Sequence, residues 1–222
     1  MTVRLDFLKQ IPYLYGIGPA ELDSIGKFVF EEAAEKGEMI LLEGESGEEL
    51  YFVVSGVVKV FGVSSEGKEQ ILDIVYPGGS FNDIPVFDSG PNPASAQAMG
   101  PVVLYRIKKS NVEAILRDYP QVALNAIRVL ASRVRRLISL VGDLSFRHVI
   151  GRLAKILLEH AGNEADRRRL TQQEMAAMAG TAREVIGRSL KSLEEMGVIR
   201  LDHHRIVITD NKALKEMIEA RS

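Results

Sequence analysis

The residues of this chain whose types and spacing could carry chemistry gather late in the sequence. Arg183, Glu184, Arg188 and Lys191 fall within one nine-residue window. Two guanidinium forks, a carboxylate and an ammonium are suited to charged and hydrogen-bonding partners such as base edges and phosphates. They do not make a nucleophile–base pair, and neither a metal-ligand cluster nor a pair of facing acids stands out elsewhere in the chain. The chemistry expected is therefore recognition rather than catalysis.

The elements that must position these residues are legible around them. Thr171-Gln172-Gln173-Glu174 has the form of a capping box opening one helix. Ala179-Gly180 reads as a turn. Thr181-Ala182-Arg183-Glu184 reads as a second capping box, opening a helix that stops at Gly197. Two short helices joined by a tight glycine-containing turn form a helix-turn-helix, whose second helix points its N-terminal half at base edges. Val198–Leu201, Asp202-His203-His204 and Arg205–Thr209 then read as a hairpin, the wing of a winged helix. His203 and His204 could approach backbone phosphates, but adjacent histidines are poorly spaced for a metal, and none is expected.

Upstream, the run from Gln121 to Leu144 reads as one long helix. Ile127, Leu130, Val134, Leu137, Val141 and Leu144 follow at alternating steps of three and four, the a/d seam of a two-stranded coiled coil. Arg128, Arg133, Arg135 and Arg136 are expected to keep its outer faces wet. Ala126, Ala131, Ile138 and Leu140 widen the stripe, so the helix should touch a second copy along one edge and its own domain along another.

The 222 residues suffice for two domains. No apolar run approaches the roughly 20 residues that span a bilayer, and MTVRLDFLKQIP lacks the apolar core of a signal peptide, so no membrane association and a cytoplasmic address are expected. The absence of cysteine excludes disulfides, thiol catalysis and iron–sulfur clusters. The net charge of −2 hides an asymmetry. Residues 1–109 carry 9 Lys+Arg against 16 Asp+Glu, whereas residues 110–222 carry 19 against 14. Only the back half is expected to meet a polyanion.

The front half reads as strands. Ile40–Leu42, Leu50–Val54, Val57–Val63, Ile71–Tyr76 and Val102–Ile107 alternate with glycine turns, after short helical lead-in segments at Phe7–Ile11 and Pro19–Leu22. Many short strands with glycine punctuation suit a barrel or jelly roll. Gly62 to Lys68 spells the start of a phosphate-binding loop, but Glu69 stands where a hydroxyl is needed. The stretch also lies between two strand-like runs rather than before a helix, and the motif is rejected.

The stretch LLEGESGEELYFVVSGVVKVFGVSSEGKEQILDIVYPGGSF (41–81), the lead-in FLKQIPYL (7–14) and TAREVIGRSLKSLEEMGVI (181–199) resemble the cyclic-AMP receptor protein / FNR (CRP/FNR) family of bacterial transcription regulators. The resemblance spans nearly the whole chain. It implies an α+β architecture: an N-terminal double-stranded β-helix (a cyclic-nucleotide-binding-like jelly roll) over 1–109, a dimerisation helix over 110–144 and a winged helix-turn-helix over 145–222. It further implies a homodimer, double-stranded DNA and RNA polymerase as partners, and a small-molecule effector in a pocket drawing on Phe81, Asn82, Asp83, Ser95, Leu137 and Ile138.

The effector does not follow. In cyclic-nucleotide-binding members a carboxylate holds the ribose, here Asp83, and an Arg-Ser pair grips the phosphate. The corresponding Pro91-Asn92-Pro93-Ala94-Ser95-Ala96-Gln97-Ala98 contains no arginine, and Leu137 and Ile138 replace the two hydroxyl residues that contact adenine. A buried phosphate without a cation is costly, which argues against cyclic AMP. Haem would need Met99, a tyrosine or the N-terminus as axial ligand, since no histidine precedes His148. The Pro-x-Ser-Ala-Gln-Ala stretch resembles the branch that includes nitric-oxide-responsive regulators.

By the same resemblance, Arg183 and Arg188 would each contact guanine O6 and N7 and Glu184 would accept from cytosine N4, giving TGTGA-like half-sites in an inverted repeat. Thr171, Gln172, Thr181 and Lys191 are expected on phosphates. Glu184 could instead cap its helix or pair with Arg188. The alternative function is a ligand-binding regulatory module acting on a protein partner; an enzyme is not expected.

Overall fold

The computed structural model describes residues 4–146, 148–161, 170–202 and 205–219, without the side chains of residues 142–146, 161, 205 and 219. Residues 162–169, the wing histidines His203 and His204, and the side chain of Leu144 lie outside what is described. The chain divides into two compact units, Met1–Ser64 with Ile71–Arg135, and Ser65–Gln70 with Arg136–Ser222.

The first unit opens with helix α1 (Leu5–Leu8), a 3-10 turn (Pro12–Leu14) and α2 (Pro19–Gly26). Eight strands follow: β1 (Phe30–Ala34), β2 (Met39–Leu41), β3 (Glu49–Ser55), β4 (Val58–Val63), β5 (Glu69–Val75), β6 (Ser80–Phe81), β7 (Ser95–Ala98) and β8 (Val102–Lys108). They form two four-stranded sheets, ordered β1-β8-β3-β6 and β2-β7-β4-β5. Helix α3 (Asp83–Asp88) interrupts them between β6 and β7, and α4 (Lys109–Asp118) follows β8. Gly62–Lys68 falls at the turn from β4 to β5, as its rejection as a phosphate loop required.

Two-residue periodicity explains how one sheet serves two cores. Along β3, Tyr51 and Val53 turn inward, where with Leu104, Val58, Phe81 and Ala96 they fill the space between the sheets. Leu50 and Phe52 turn outward and, with Tyr105 and Ile107 of β8, pack against α1, α2 and α4. A strand buried on both faces reads as an uninterrupted apolar run, as Leu50–Val54 does. The β3–β4 turn depends on Gly56: it has φ +81°, and an added Cβ would lie 2.4 Å from the Pro101 carbonyl.

The predicted long helix is α5, Pro120–Phe146, 27 residues. Val122, Ala126 and Val129 pack into the core of the first unit. Ile127 (62%), Val134 (55%), Leu137 (45%) and Val141 (63%) are exposed on the seam side. The boundary between the units falls inside this helix rather than at its ends.

The second unit contains α6 (Val149–Ala161), α7 (Gln172–Ala179), α8 (Arg183–Glu195), the hairpin β9–β10 (Ile199–Asp202 with Arg205–Ile208) and α9 (Asn211–Glu219). Its core joins Leu153 and Leu157 of α6, Met175 and Ala176 of α7, Ile186, Leu190 and Leu193 of α8, and Leu214 of α9.

Candidate nucleic-acid interface and barrel site

Helix α7 begins as its sequence requires. Thr171 Oγ1 accepts the Glu174 N–H (3.2 Å), and Glu174 Oε2 accepts the Thr171 N–H (2.7 Å), a complete capping box. It ends at Gly180, left-handed at φ 61°, and the Gly180 and Thr181 N–H groups both donate to the Ala176 carbonyl. Arg152 Nε of α6 donates to the Ala179 carbonyl (2.8 Å), satisfying another orphan acceptor at this helix end.

The second capping box does not form. The N-cap of α8 is Ala182, whose methyl has no atom to accept a cap bond, and the Thr181 N–H that Glu184 would have accepted in a box donates to the Ala176 carbonyl instead. Arg183 is thus the first helical residue, and Glu184 sits in the first turn, where the helix dipole favours a carboxylate. Arg183, Glu184, Arg188 and Lys191 are all exposed, as are Thr171 and Gln172 at the start of α7, while Thr181 is half-buried. The opposite face of α8, through Ile186 (0%), Leu190 (2%) and Leu193 (0%), is sealed in the core. The Glu194 carboxylate accepts the Leu201 N–H (2.8 Å), tying the wing hairpin to α8.

Four of the residues expected to form an effector pocket, Phe81, Asn82, Asp83 and Ser95, are engaged by other residues of the first unit. Asp83, 1% exposed, accepts hydrogen bonds from the hydroxyls of Tyr13 and Ser80 (the latter 3.4 Å) and forms an ion pair with Arg133. The same guanidinium donates to the Ser80 carbonyl and hydroxyl (2.9 Å to the latter). Burial above all, and the Asp83 charge beside it, push the Tyr13 phenol well above its ordinary range, keeping it a donor. Phe81 is stacked on Tyr51, centroids 5.0 Å apart. Asn82 donates to the Glu49 carbonyl (3.0 Å), and Ser95 Oγ accepts the Glu43 N–H (3.0 Å). Leu137 and Ile138 belong to the other unit, 45% and 66% exposed.

The expectation that Arg133 wets an outer face is corrected. One turn beyond Val129, it continues the stripe that faces the first unit and finds a buried carboxylate there. Neither Arg133 nor Tyr13 was singled out for this site in the sequence, because Tyr13 is 70 residues from Asp83 and Arg133 is 50. A cleft of about 600 Å³ does occur in this unit, lined by Glu45, Glu48, Glu49, Lys108, Lys109 and Asn92 among others. Of the expected pocket residues it includes Asn82 alone. Met99, the considered haem ligand, is buried at 5%. Among the described residues no group of three or more His, Asp or Glu side chains could hold a metal ion, and no helix is long and apolar enough to cross a membrane.

An antiparallel barrel followed by a long helix and an exposed reader helix in a winged fold defines a transcription regulator with a ligand-binding-type barrel. Two family models match, a cyclic nucleotide-binding domain over residues 31–119 and a Crp-like helix-turn-helix domain over 151–217. The CRP-like cAMP-activated global transcriptional regulator of Mycobacterium tuberculosis is 30% identical over 217 residues, 94% of this chain and 97% of that protein. The cyclic AMP receptor protein of Thermus thermophilus is 31% identical over 214 residues, 95% and 98% of the two chains. The structure of FixK2 from Bradyrhizobium japonicum superposes with a TM-score of 0.77 at 24% identity, covering 87% of this chain and 99% of that one. The chain belongs to the CRP/FNR family of transcription regulators.

The family's barrel implies a cyclic nucleotide, and the residues here do not fit one. Residues 91–98, where the family carries its phosphate-binding arginine, contain no cation; Asp83 is engaged by Tyr13, Ser80 and Arg133, and Arg133 by Asp83 and Ser80. A buried phosphate would meet a guanidinium already neutralised.

Proposed function

We propose that the chain is a homodimeric, sequence-specific DNA-binding regulator that reads an inverted repeat of TGTGA-like half-sites. Arg183 and Arg188 serve guanines, Glu184 serves cytosine, and Thr171, Gln172, Thr181 and Lys191 serve phosphates. The observation that carries this reading is α8: its buried side is wholly apolar, while Arg183, Glu184 and Arg188 stand in solvent on the opposite side. The exposed stripe Ile127, Val134, Leu137 and Val141 supports pairing of two α5 helices. Pairing would set two reader helices about 34 Å apart, one turn of B-DNA. RNA polymerase is the partner through which bound protein would act on transcription.

Selection of bound duplexes from random DNA by the full chain tests the reading. The expected product is a palindrome whose half-sites contain a guanine for each arginine. Recovery of unrelated sequences, or of a single unrepeated half-site, overturns it.

A further inference from the structure

The closed network around Asp83 has a consequence for control of DNA binding. Three donors from three segments converge on this one buried carboxylate: Tyr13 from the lead-in, Ser80 from β6 and Arg133 from α5. Helix α3, which begins at Asp83, is bracketed by two non-glycine residues in the left-handed region, Asn82 at φ 62° and Ser89 at φ 64°. L-residues adopt that conformation at a cost, and it persists where surroundings over-determine it. Here the surroundings are explicit: Asn82 is tied to the Glu49 carbonyl, and Ser89 Oγ accepts from Lys109 Nζ (2.7 Å). A ligand taking Arg133 would strand the buried Asp83 carboxylate, which is strongly unfavourable.

We propose that the Asp83–Arg133 bridge occupies the role an effector would play, so that the chain joins its barrel to α5 by itself and binds its DNA site with no cyclic nucleotide. This rests on the DNA-binding reading above. The bridge spans the first unit's barrel and the helix whose far half carries the rest of the seam. A ligand can shift such an arrangement only through differential affinity for its two states, and an arrangement already closed by its own side chains leaves a cyclic nucleotide nothing to add.

The test uses the full-length chain, shown to be ligand-free by native mass spectrometry, and a duplex obtained by selection. Binding is read by fluorescence anisotropy with and without millimolar cyclic AMP or cyclic GMP. The ligand-free chain should bind, and either nucleotide should change Kd by less than about twofold. Asp83→Asn and Arg133→Met should each weaken specific binding by about tenfold or more. The double variant should be no worse than the weaker single, because both act through one contact. Affinity for an unrelated duplex should stay unchanged, which a general loss of folding would not allow. Should those variants fail to fold, Tyr13→Phe removes one hydroxyl only and should show a smaller loss in the same direction. Wild-type protein silent until a cyclic nucleotide is added, or folded variants that bind like wild type, overturns the proposal. If the wild type selects no duplex with or without nucleotide, the DNA-binding reading falls and the proposal falls with it.

Discussion

Asn125 of α5 donates from its Nδ2 to two carbonyl oxygens of the lead-in, that of Tyr13 at 3.0 Å and that of Tyr15 at 2.8 Å. Its Oδ1 accepts from Gln121 (3.0 Å) and Arg128 (3.1 Å), so one 3%-exposed amide uses both its donors and both its acceptor lone pairs. Asn125→Leu keeps the volume and strands two carbonyls at a buried contact. The expected cost is about 2–6 kcal/mol, each of the two unmet acceptors costing roughly 1–3. Urea unfolding should show a lower midpoint with an unchanged slope. A midpoint indistinguishable from wild type would mean that the amide does not hold the lead-in to the helix.

What the sequence reveals and conceals in this molecule has physical causes. The strands rich in β-branched and aromatic residues, such as Leu50–Val54, announce themselves because their side chains are the ones sheets bury. β1, Phe-Glu-Glu-Ala-Ala, and β7, Ser-Ala-Gln-Ala, do not. Each is a strand because a neighbour dictates its pairing: β8 for β1, and β2 and β4 for β7. The start of α8 shows local reasoning losing to context, since Thr181 has the residue type of a cap but its N–H closes the turn with Ala176. Long-range polar networks are harder still. The spacing Val122, Ala126, Val129, Arg133 sets Arg133 apart from Arg135 and Arg136, but only the packing of α5 on the barrel supplies the buried carboxylate that it meets.

The exposed stripe on α5 predicts an oligomeric consequence. Val134, 55% exposed, lies in the middle of the seam. Val134→Glu would place two carboxylates opposite each other in a paired helix, a like-charge juxtaposition costing several kcal/mol. Sedimentation velocity should show the mass fall from two chains to one, with a loss of palindromic DNA binding of about a hundredfold or more. A variant that keeps the mass of two chains places the dimer contact elsewhere.

If Arg183 reads a base and Lys191 a phosphate, as proposed, substitutions at the two should have different signatures. Arg183→Ala should cost about 1–3 kcal/mol and relax preference at one base pair of each half-site. Lys191 lies 3.9 Å from Glu195 with both side chains mostly exposed, so its removal should leave folding nearly unaffected. Lys191→Ala should weaken all duplexes alike and flatten the dependence of log K on log salt by about one unit. Anisotropy titrations on matched and mismatched duplexes at several salt concentrations check both. Equal losses on every duplex for Arg183→Ala would remove it from base contact.

His160 near the end of α6 ties the stability of the second unit to pH. Burial lowers its pKa below the ordinary 6.5, with the Glu159 charge opposing the shift. The unfolded chain therefore takes up this proton at a higher pH than the folded one does. Stability from this group is complete above about pH 6.5 and is lost as pH falls from there toward the lower folded value. His160→Gln removes the proton site while keeping a polar side chain of similar reach. The wild type should lose more stability than the variant between about pH 7 and pH 5, since carboxylates common to both contribute equally. Urea midpoints at the two pH values give the comparison. Identical losses in the two proteins would show that His160 titrates as freely in the folded chain as in the unfolded one.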